Sequence, residues 1–339
     1  MRSNNSNIPV EAHAKRRRFR DSISGVGFTW KRADLEDGGG YVSLTGAVEA
    51  ELDRVADAVA GRAPNAGMPD AGEFDLRATA RLMADIRDRI FAGIGFAVLD
   101  RLPVERWGVP ETRSIAWLMT GLLGPIVEQK FGGTRLYDVQ DKGKKLTHGV
   151  RRSITNLEQE FHTDGGWLSG TPEIAVLACL RQAAQGGMSR VSSLATAHDR
   201  LLEQAPDLLE QLYKPLWWDR QAEHAQGEPP CSRRPIFESR GNGIEARYYD
   251  DYVKQGHRLM QSPLDDRTLA ALDALRAAIE TPDHYFDFYL APGQIEFLNN
   301  RVIAHARTRF ENANGADQGR HLIRLWVRRT GGTALESAA

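Results

Sequence analysis

Cysteine is scarce in this chain. Only Cys179 and Cys231 occur among 339 residues. They form no Cys-x-x-Cys, which excludes a disulfide framework and a thiolate zinc site. A reducing compartment, the cytoplasm, is the expectation. Excess charge is also missing: 44 Lys and Arg against 45 Asp and Glu leave a net −1. Nothing in that balance favours nucleic acid or an anionic membrane. No uninterrupted apolar run approaches the roughly 18 residues a membrane span needs. The His-Glu-x-x-His zinc signature, the Walker A loop, Gly-x-Gly-x-x-Gly and the Gly-x-Ser-x-Gly elbow are all absent. What remains is ordinary soluble material, 41% hydrophobic and 26% charged, with ample apolar residues for a sizeable core. The length fits two ordinary domains or one large enzyme domain with insertions.

Residues 1–22 are polar, and Lys15-Arg16-Arg17-Arg18 has no apolar stretch behind it. They read as a disordered basic tail rather than a signal peptide. Residues 23–45 read as irregular with one short strand. Helical patterns follow at Val48–Ala63 and Asp75–Phe91, where Leu76, Ala80, Met83, Ile86 and Ile90 recur near the helical period. Ile94–Leu99 reads as a buried strand. Glu111–Leu123 reads as a helix stopped by Gly124-Pro125. The glycine- and lysine-rich stretch 132–152 reads as a mobile lid loop. Glu173–Leu180 is a strand candidate, and Ser193–Gln211 and Asp265–Ile279 are helix candidates. Leu216–Val253 reads as short strands and turns. Tyr285–Tyr289, Gln294–Leu298, Val302–Ala306 and His321–Val327 read as four strands. Residues 331–339 read as a flexible tail. Helices mostly in the first half and strands in the second predict an α+β domain with an antiparallel core, covering 23–330.

The chemistry-bearing residues are His162-Thr163-Asp164 and a lone His305. A lone His-x-Asp is a weak motif, and Gly165-Gly166 behind it also fits a plain surface turn. His305, among Val302, Ile303 and Ala304, also fits a satisfied core histidine. The two residues His162 and Asp164, placed at the start of an apolar strand region, are expected to project to one face. Two imidazoles and one carboxylate are the donor set of a facial triad, which holds Fe(II) and leaves the opposite face open.

Four ordered segments are more specific than any one. Phe161-His-Thr-Asp-Gly-Gly-Trp167, Gly186-Gly-Met-Ser189, Asn300-Arg-Val-Ile-Ala-His305 and Gly319-Arg-His-Leu-Ile-Arg324 resemble the taurine/2,4-dichlorophenoxyacetate dioxygenase family. These are Fe(II)- and 2-oxoglutarate-dependent oxygenases of the clavaminate-synthase-like type. The resemblance runs from about Ile86 to Arg328. It implies a double-stranded β-helix, a jelly roll of two packed sheets buttressed by helices. It implies His162, Asp164 and His305 as iron ligands. Arg320 matches the arginine that pairs with the distal carboxylate of 2-oxoglutarate, a role that suits a forked, always charged guanidinium. Ser189 matches a hydroxyl at the same co-substrate, where the family often has Thr. Arg324 is carried over as a contact to an anionic substrate, with a scaffold salt bridge as its alternative. Arg307 and Arg309 add to the hint of an anion.

The implied reaction consumes O2 and 2-oxoglutarate and releases succinate and CO2. An unactivated carbon of a small, anionic molecule is hydroxylated or desaturated. Asp164 stands where a halogenase of this type has a small residue, so halogenation is not expected. Two other readings stay open at this point. One is a non-catalytic jelly-roll binding protein that keeps the metal site; the other is a hydrolase or isomerase using a different divalent metal. Neither would need turnover of 2-oxoglutarate at Arg320. Trp217-Trp218 fits either the pocket or the core, and His148 with Lys142–Lys145 either a lid or an exposed loop.

Overall fold

A computed structural model of the chain describes residues 27–35, 38–62, 67–240, 243–313 and 319–329. The expected N- and C-terminal tails lie outside the described residues. In chain order, β1 (Tyr41–Ser43) leads to α1 (Gly46–Ala60) and α2 (Arg77–Ala92), then β2 (Phe96–Asp100), α3 (Val104–Trp107) and α4 (Val109–Gly121). Five strands follow: β3 (Ile126–Val127), β4 (Leu136–Gln140), β5 (Gln159–His162), β6 (Ile174–Arg181) and β7 (Gln185–Gly186). β8 (Ser189–Ser193) precedes α5 (Leu194–Gln204) and α6 (Pro206–Leu212). The excursion β9 (Leu216–Asp219), β10 (Cys231–Arg234), β11 (Phe237–Arg240) and β12 (Gly243–Ala246) ends in α7 (Asp250–Leu259) and α8 (Asp266–Ile279). The chain closes with β13 (Tyr285–Phe288), β14 (Ile295–Asn299), β15 (Ile303–Arg307), β16 (Phe310–Glu311) and β17 (His321–Val327).

Two sheets form the roll. The larger runs β1-β2-β14-β6-β17-β3, with β4 also on the edge of β17. The smaller runs β13-β8-β15-β5. The jelly-roll expectation is met in the α+β form. Period-2 alternation divides the large sheet into two apolar faces. On β6, Ile174, Val176, Ala178 and Leu180 join the cluster under α1, α2 and α4. Ala175, Leu177 and Cys179 face the other way, into the roll. β17 alternates likewise, with Ile323, Leu325 and Val327 outward and Leu322 and Trp326 inward. The inner face holds the site, and the helices behind it keep that sheet rigid.

Several expectations need correction. Residues 132–152 are not one loop, because β4 lies inside them and pairs along β17 from His321↔Gln140 to Leu325↔Leu136. Tyr137 and Val139 are its buried alternate positions, hidden in the sequence by the glycines and lysines on either side. Ser193–Gln211 is two helices, since Pro206 supplies the first residue of α6 and ends α5 at Ala205. α7 falls at the end of a region read as strands and turns. Its amphipathic signal comes from a strongly polar outer face and not from an apolar run, since its buried positions are Asp250, Val253 and Gly256. The backbone of Gly256 passes close under Trp217, where a Cβ would meet the Trp217 carbonyl at 2.6 Å. Trp218 is core, fully buried, its Nε1 donating to the Arg234 carbonyl at 3.0 Å.

Candidate active site

β5 and β15 are hydrogen-bonded neighbours in the small sheet, and their register sets His305 opposite His162. The two imidazole centroids lie 4.2 Å apart. His162 is the last residue of β5, and Asp164 lies just beyond, in the turn. The strand therefore ends at this pair instead of starting there. One donor atom from each of His162, Asp164 and His305 falls within 4.8 Å of the others, and all three are buried.

Several groups hold the turn. The Asn300 side chain accepts from the Asp164 backbone N–H at 2.8 Å and donates to the Asp164 and Pro172 carbonyls. Thr163 exchanges two hydrogen bonds with the Tyr248 backbone. The carboxylate is gripped from β17: Arg324 Nη1 donates to one oxygen at 2.9 Å and Trp326 Nε1 to the other at 2.8 Å. Arg324 is itself fixed through Nε to Gln129 Oε1 at 2.8 Å. Burial alone would raise the Asp164 carboxyl. Arg324 first, with the two neighbouring imidazoles adding to it, outweighs burial and holds the group well below the usual carboxylate range.

This donor set fits a divalent iron. Asp164 stays anionic, with lone pairs left on each oxygen. The Glu160 carbonyl, 2.9 Å from His162 Nδ1, can only accept, so that nitrogen carries a proton; Nε2, the ligand atom, accepts from the Gln159 amide at 2.9 Å, a contact that a metal would replace. Burial and His162 push the His305 imidazole down to about 3, which leaves it neutral as a ligand must be. His305 Nδ1 is buried without a hydrogen-bond partner among the described residues.

The adjoining pocket is lined by His162, His305, Ser189, Glu296, Arg307 and Arg320, among others. Arg320 is 5% exposed and makes no ion pair among the described residues. A buried guanidinium without a counter-ion is costly unless a ligand supplies one. The Gly186-Gly187 pair makes room for it. A Cβ on Gly187 would stand 3.1 Å from the Arg320 side chain, and one on Gly186 would strike the Arg309 carbonyl at 2.1 Å. Both glycines have positive φ. Arg307, on the strand position facing Ser189, is a second buried guanidinium against the same Phe310 ring. Arg309 contributes only its backbone here: its carbonyl accepts from Gly187.

Sequence reasoning did not single out Gln129, Trp326 or Glu296. Asn300 was quoted only within a motif. Glu296 carried a usable signal, a charged residue inside the apolar run Ile295–Leu298. Gln129 carried none, since its partner lies 195 positions away.

A jelly roll carrying a buried His-Asp-His set beside an unpaired arginine defines a non-haem iron oxygenase. The match to the family model for "Taurine catabolism dioxygenase TauD, TfdA family" covers residues 61–326. The chain belongs to that family, and is an oxidoreductase that uses Fe(II), 2-oxoglutarate and O2 to hydroxylate a small molecule. It is 28% identical over 304 residues to "FR-33289 synthase" of Streptomyces rubellomurinus (strain ATCC 31215), covering 88% of each chain. It is 30% identical over 239 residues to "Uridine-5'-phosphate dioxygenase" of Amycolatopsis sp, covering 68% of this chain and 83% of that one. The fold matches asparagine oxygenase in complex with Fe(II), 2S,3S-3-hydroxyasparagine and succinate at a TM-score of 0.68 and 20% identity, covering 85% of this chain and 93% of that one. It also matches the non-heme iron oxygenase OrfP in complex with Fe and alpha-ketoglutaric acid at 0.63 and 17%, covering 87% and 99%. Among the described residues no helix is long and apolar enough to cross a membrane.

Proposed function

We propose that His162, Asp164 and His305 hold the Fe(II), that Arg320 and Ser189 take the distal carboxylate of 2-oxoglutarate, and that the substrate is a small molecule bearing an anionic group. The observation that carries this is the meeting of three ligand atoms within 4.8 Å, two of the residues lining a pocket shared with Arg320, a buried arginine without an ion pair among the described residues. Bound together, iron and 2-oxoglutarate would activate O2 for C–H hydroxylation, one oxygen atom going to the substrate and the other to the succinate formed with CO2. The chain's part is to orient both and to exclude water. Arg324 and Trp326 hold Asp164 anionic and aimed at the metal position. Arg320 fixes the reach of the co-substrate, and the inward faces of Val139, Leu177 and Leu322 keep the pocket dry.

Substrate would arrive from a second cleft between the 146–152 segment and α7. Arg152, Tyr249 and Tyr252 line both this cleft and a separate small pocket that reaches His162 and Asp164. Arg152 and Arg258 are its guanidinia; Arg152 is paired with Asp251 at 3.1 Å, so Arg258, with no ion pair among the described residues, is the candidate for an anionic group. The substrate printed in one relative's name, uridine 5'-phosphate, is such an anion. Arg324, expected at the substrate, is occupied by Asp164 and Gln129, so its salt-bridge alternative has the geometric support. Two unpaired thiols, Cys179 and Cys231, both buried, fit the cytoplasm. No nucleic-acid or membrane partner is part of this reading.

Turnover under labelled dioxygen tests the proposal. One labelled oxygen in succinate is expected, with a substrate gain of one oxygen or a loss of two hydrogens. Metal and 2-oxoglutarate binding without labelled succinate for any substrate would favour the non-catalytic alternative. Turnover that needs no 2-oxoglutarate would favour the hydrolase or isomerase. A chlorinated product in chloride would overturn the role given to Asp164.

Arg320→Gln is expected to weaken 2-oxoglutarate by about 10- to 100-fold with iron binding intact. The basis is the loss of a charge-assisted contact of about 1.5–3 kcal/mol. An unchanged apparent constant for 2-oxoglutarate would transfer the role to Arg307.

A further inference from the structure

Glu296 is an acid in an apolar place. Inward positions on the large sheet alternate with outward ones, and on β14 the inward pair is Glu296 and Leu298. Glu296 stands in register with Leu177 on β6 and with Val98 on β2, and Val98 in turn with Tyr41 on β1. Its side chain is 1% exposed and lines the same pocket as Arg320, Arg307 and Ser189. Its Oε1 has no hydrogen-bond partner among the described residues. It forms no ion pair with Arg320, although the two share the pocket.

We propose that Glu296 is a positioning residue of the co-substrate pocket that works as a neutral acid: 2-oxoglutarate binds fully only while Glu296 carries a proton, which the distal carboxylate of 2-oxoglutarate meets beside Arg320. This inference rests on the placement of 2-oxoglutarate at Arg320. The charge arithmetic of the pocket supports it. One buried guanidinium, Arg320, acts on the Glu296 carboxyl; Arg307 spends its donors on the Thr155 and Leu157 carbonyls. An incoming carboxylate pairs with Arg320 and sets a like charge near Glu296. Two carboxylates in one dry pocket cannot both stay ionised cheaply. A protonated Glu296 avoids the repulsion and offers an O–H donor.

The surrounding groups agree. Burial lifts the Glu296 carboxyl to about 8; Arg320 on β17 works against that rise and Asp164 beyond β5 adds to it. Cys179 on β6 is a buried thiol pushed up to about 12 by burial, and Tyr41 on β1 is raised by burial and by Asp100 and Glu296, so both stay neutral. His305 on β15 is neutral as well. Burial pushes Arg320 and Arg307 downward, and each remains a cation at neutral pH.

The sign follows. Binding raises the Glu296 carboxyl further, so affinity for 2-oxoglutarate is full below its free value. It falls as pH climbs through that value, approaching about tenfold per pH unit. Calorimetric titration of the Fe(II)-loaded protein with 2-oxoglutarate under argon tests this, run in two buffers of different ionisation enthalpy at about pH 7 and about pH 9. Uptake approaching one proton is expected at the higher pH and little at the lower. Glu296→Gln, which keeps a donor and cannot titrate, is expected to bind with no proton uptake and a flatter pH profile. This variant separates Glu296 from Tyr41, Cys179 and the two arginines. Glu296→Leu, which loses the donor, is expected to bind on the order of tenfold or more weakly at the lower pH. Wild-type binding without proton uptake, or the same uptake in Glu296→Gln, would overturn this proposal alone. No binding of 2-oxoglutarate to the wild type would bring down the co-substrate placement and this proposal with it. The wild-type proton count decides the matter should the Gln variant fail to fold.

Discussion

His305→Ala is expected to abolish stable Fe(II) binding and turnover while leaving the fold intact. His305 sits between Ala304 and Ala306 on a strand hydrogen-bonded on both sides, to β8 and β5. Its loss leaves that backbone ladder in place and opens only a small polar cavity. The neutral imidazole is pressed against His162 with Nδ1 unpartnered, so the metal-free protein gains little from it. For the metal the loss is severe, since three protein donors become two. Removing a partner that merely orients a ligand costs about 10- to 100-fold in metal affinity, and removing the ligand itself should exceed that. Anaerobic addition of Fe(II) and 2-oxoglutarate should give a weak visible charge-transfer band in the wild type. The variant should give none, with an unchanged far-ultraviolet circular dichroism spectrum. A band of full strength would remove His305 from the site.

How much of this was legible in the sequence depends on range. The strands around the site read well because their apolar residues are local: Ile174–Arg181, Ile295–Asn299 and His321–Val327 are mostly apolar and buried at nearly every position, as strands covered on both faces are. Gly186 and Gly187 were legible only as part of a motif; the reason for them, a close approach by Arg309 and Arg320, lies in the fold. β4 was lost because its five residues lie between a glycine turn and a lysine run, and its identity as a strand comes from β17, some 185 residues on. α7 was lost because its inner face carries an acid and a glycine, Asp250 and Gly256, beside Val253, so its polar outer face was the only sign of it. At the site, residue types were legible and partnerships were not. Arg320 and Arg324 both follow the inward period of β17, and nothing local says that one would be left unpaired and the other claimed by Asp164. That outcome depends on where the turn after β5 ends and on Gln129, which no motif marks.

Arg324 therefore decides between two accounts of the same strand, and Arg324→Met separates them. If Arg324 serves Asp164, its removal strands a buried carboxylate with Trp326 as its only remaining side-chain donor. Breaking a buried pair on one side costs about 3–5 kcal/mol, and the metal-free protein should melt at a clearly lower temperature. The pH dependence has a defined sign. In the wild type the Asp164 carboxyl is held below its unfolded value, so its contribution to stability is present above about pH 4 and is lost as pH falls toward the depressed folded value. Without Arg324, burial is no longer outweighed and the carboxyl rises. The stability deficit of the variant should then be largest near neutral pH and shrink in acid. Fe(II) affinity should fall by about 10- to 100-fold, because a ligand no longer oriented or kept anionic binds less well. If Arg324 instead serves the substrate, the melting temperature and Fe(II) affinity should hold, and only the substrate KM should rise. Thermal melts across pH together with anaerobic iron titration distinguish the two. Unchanged stability at neutral pH would return Arg324 to the substrate and leave Trp326 as the residue that aims Asp164.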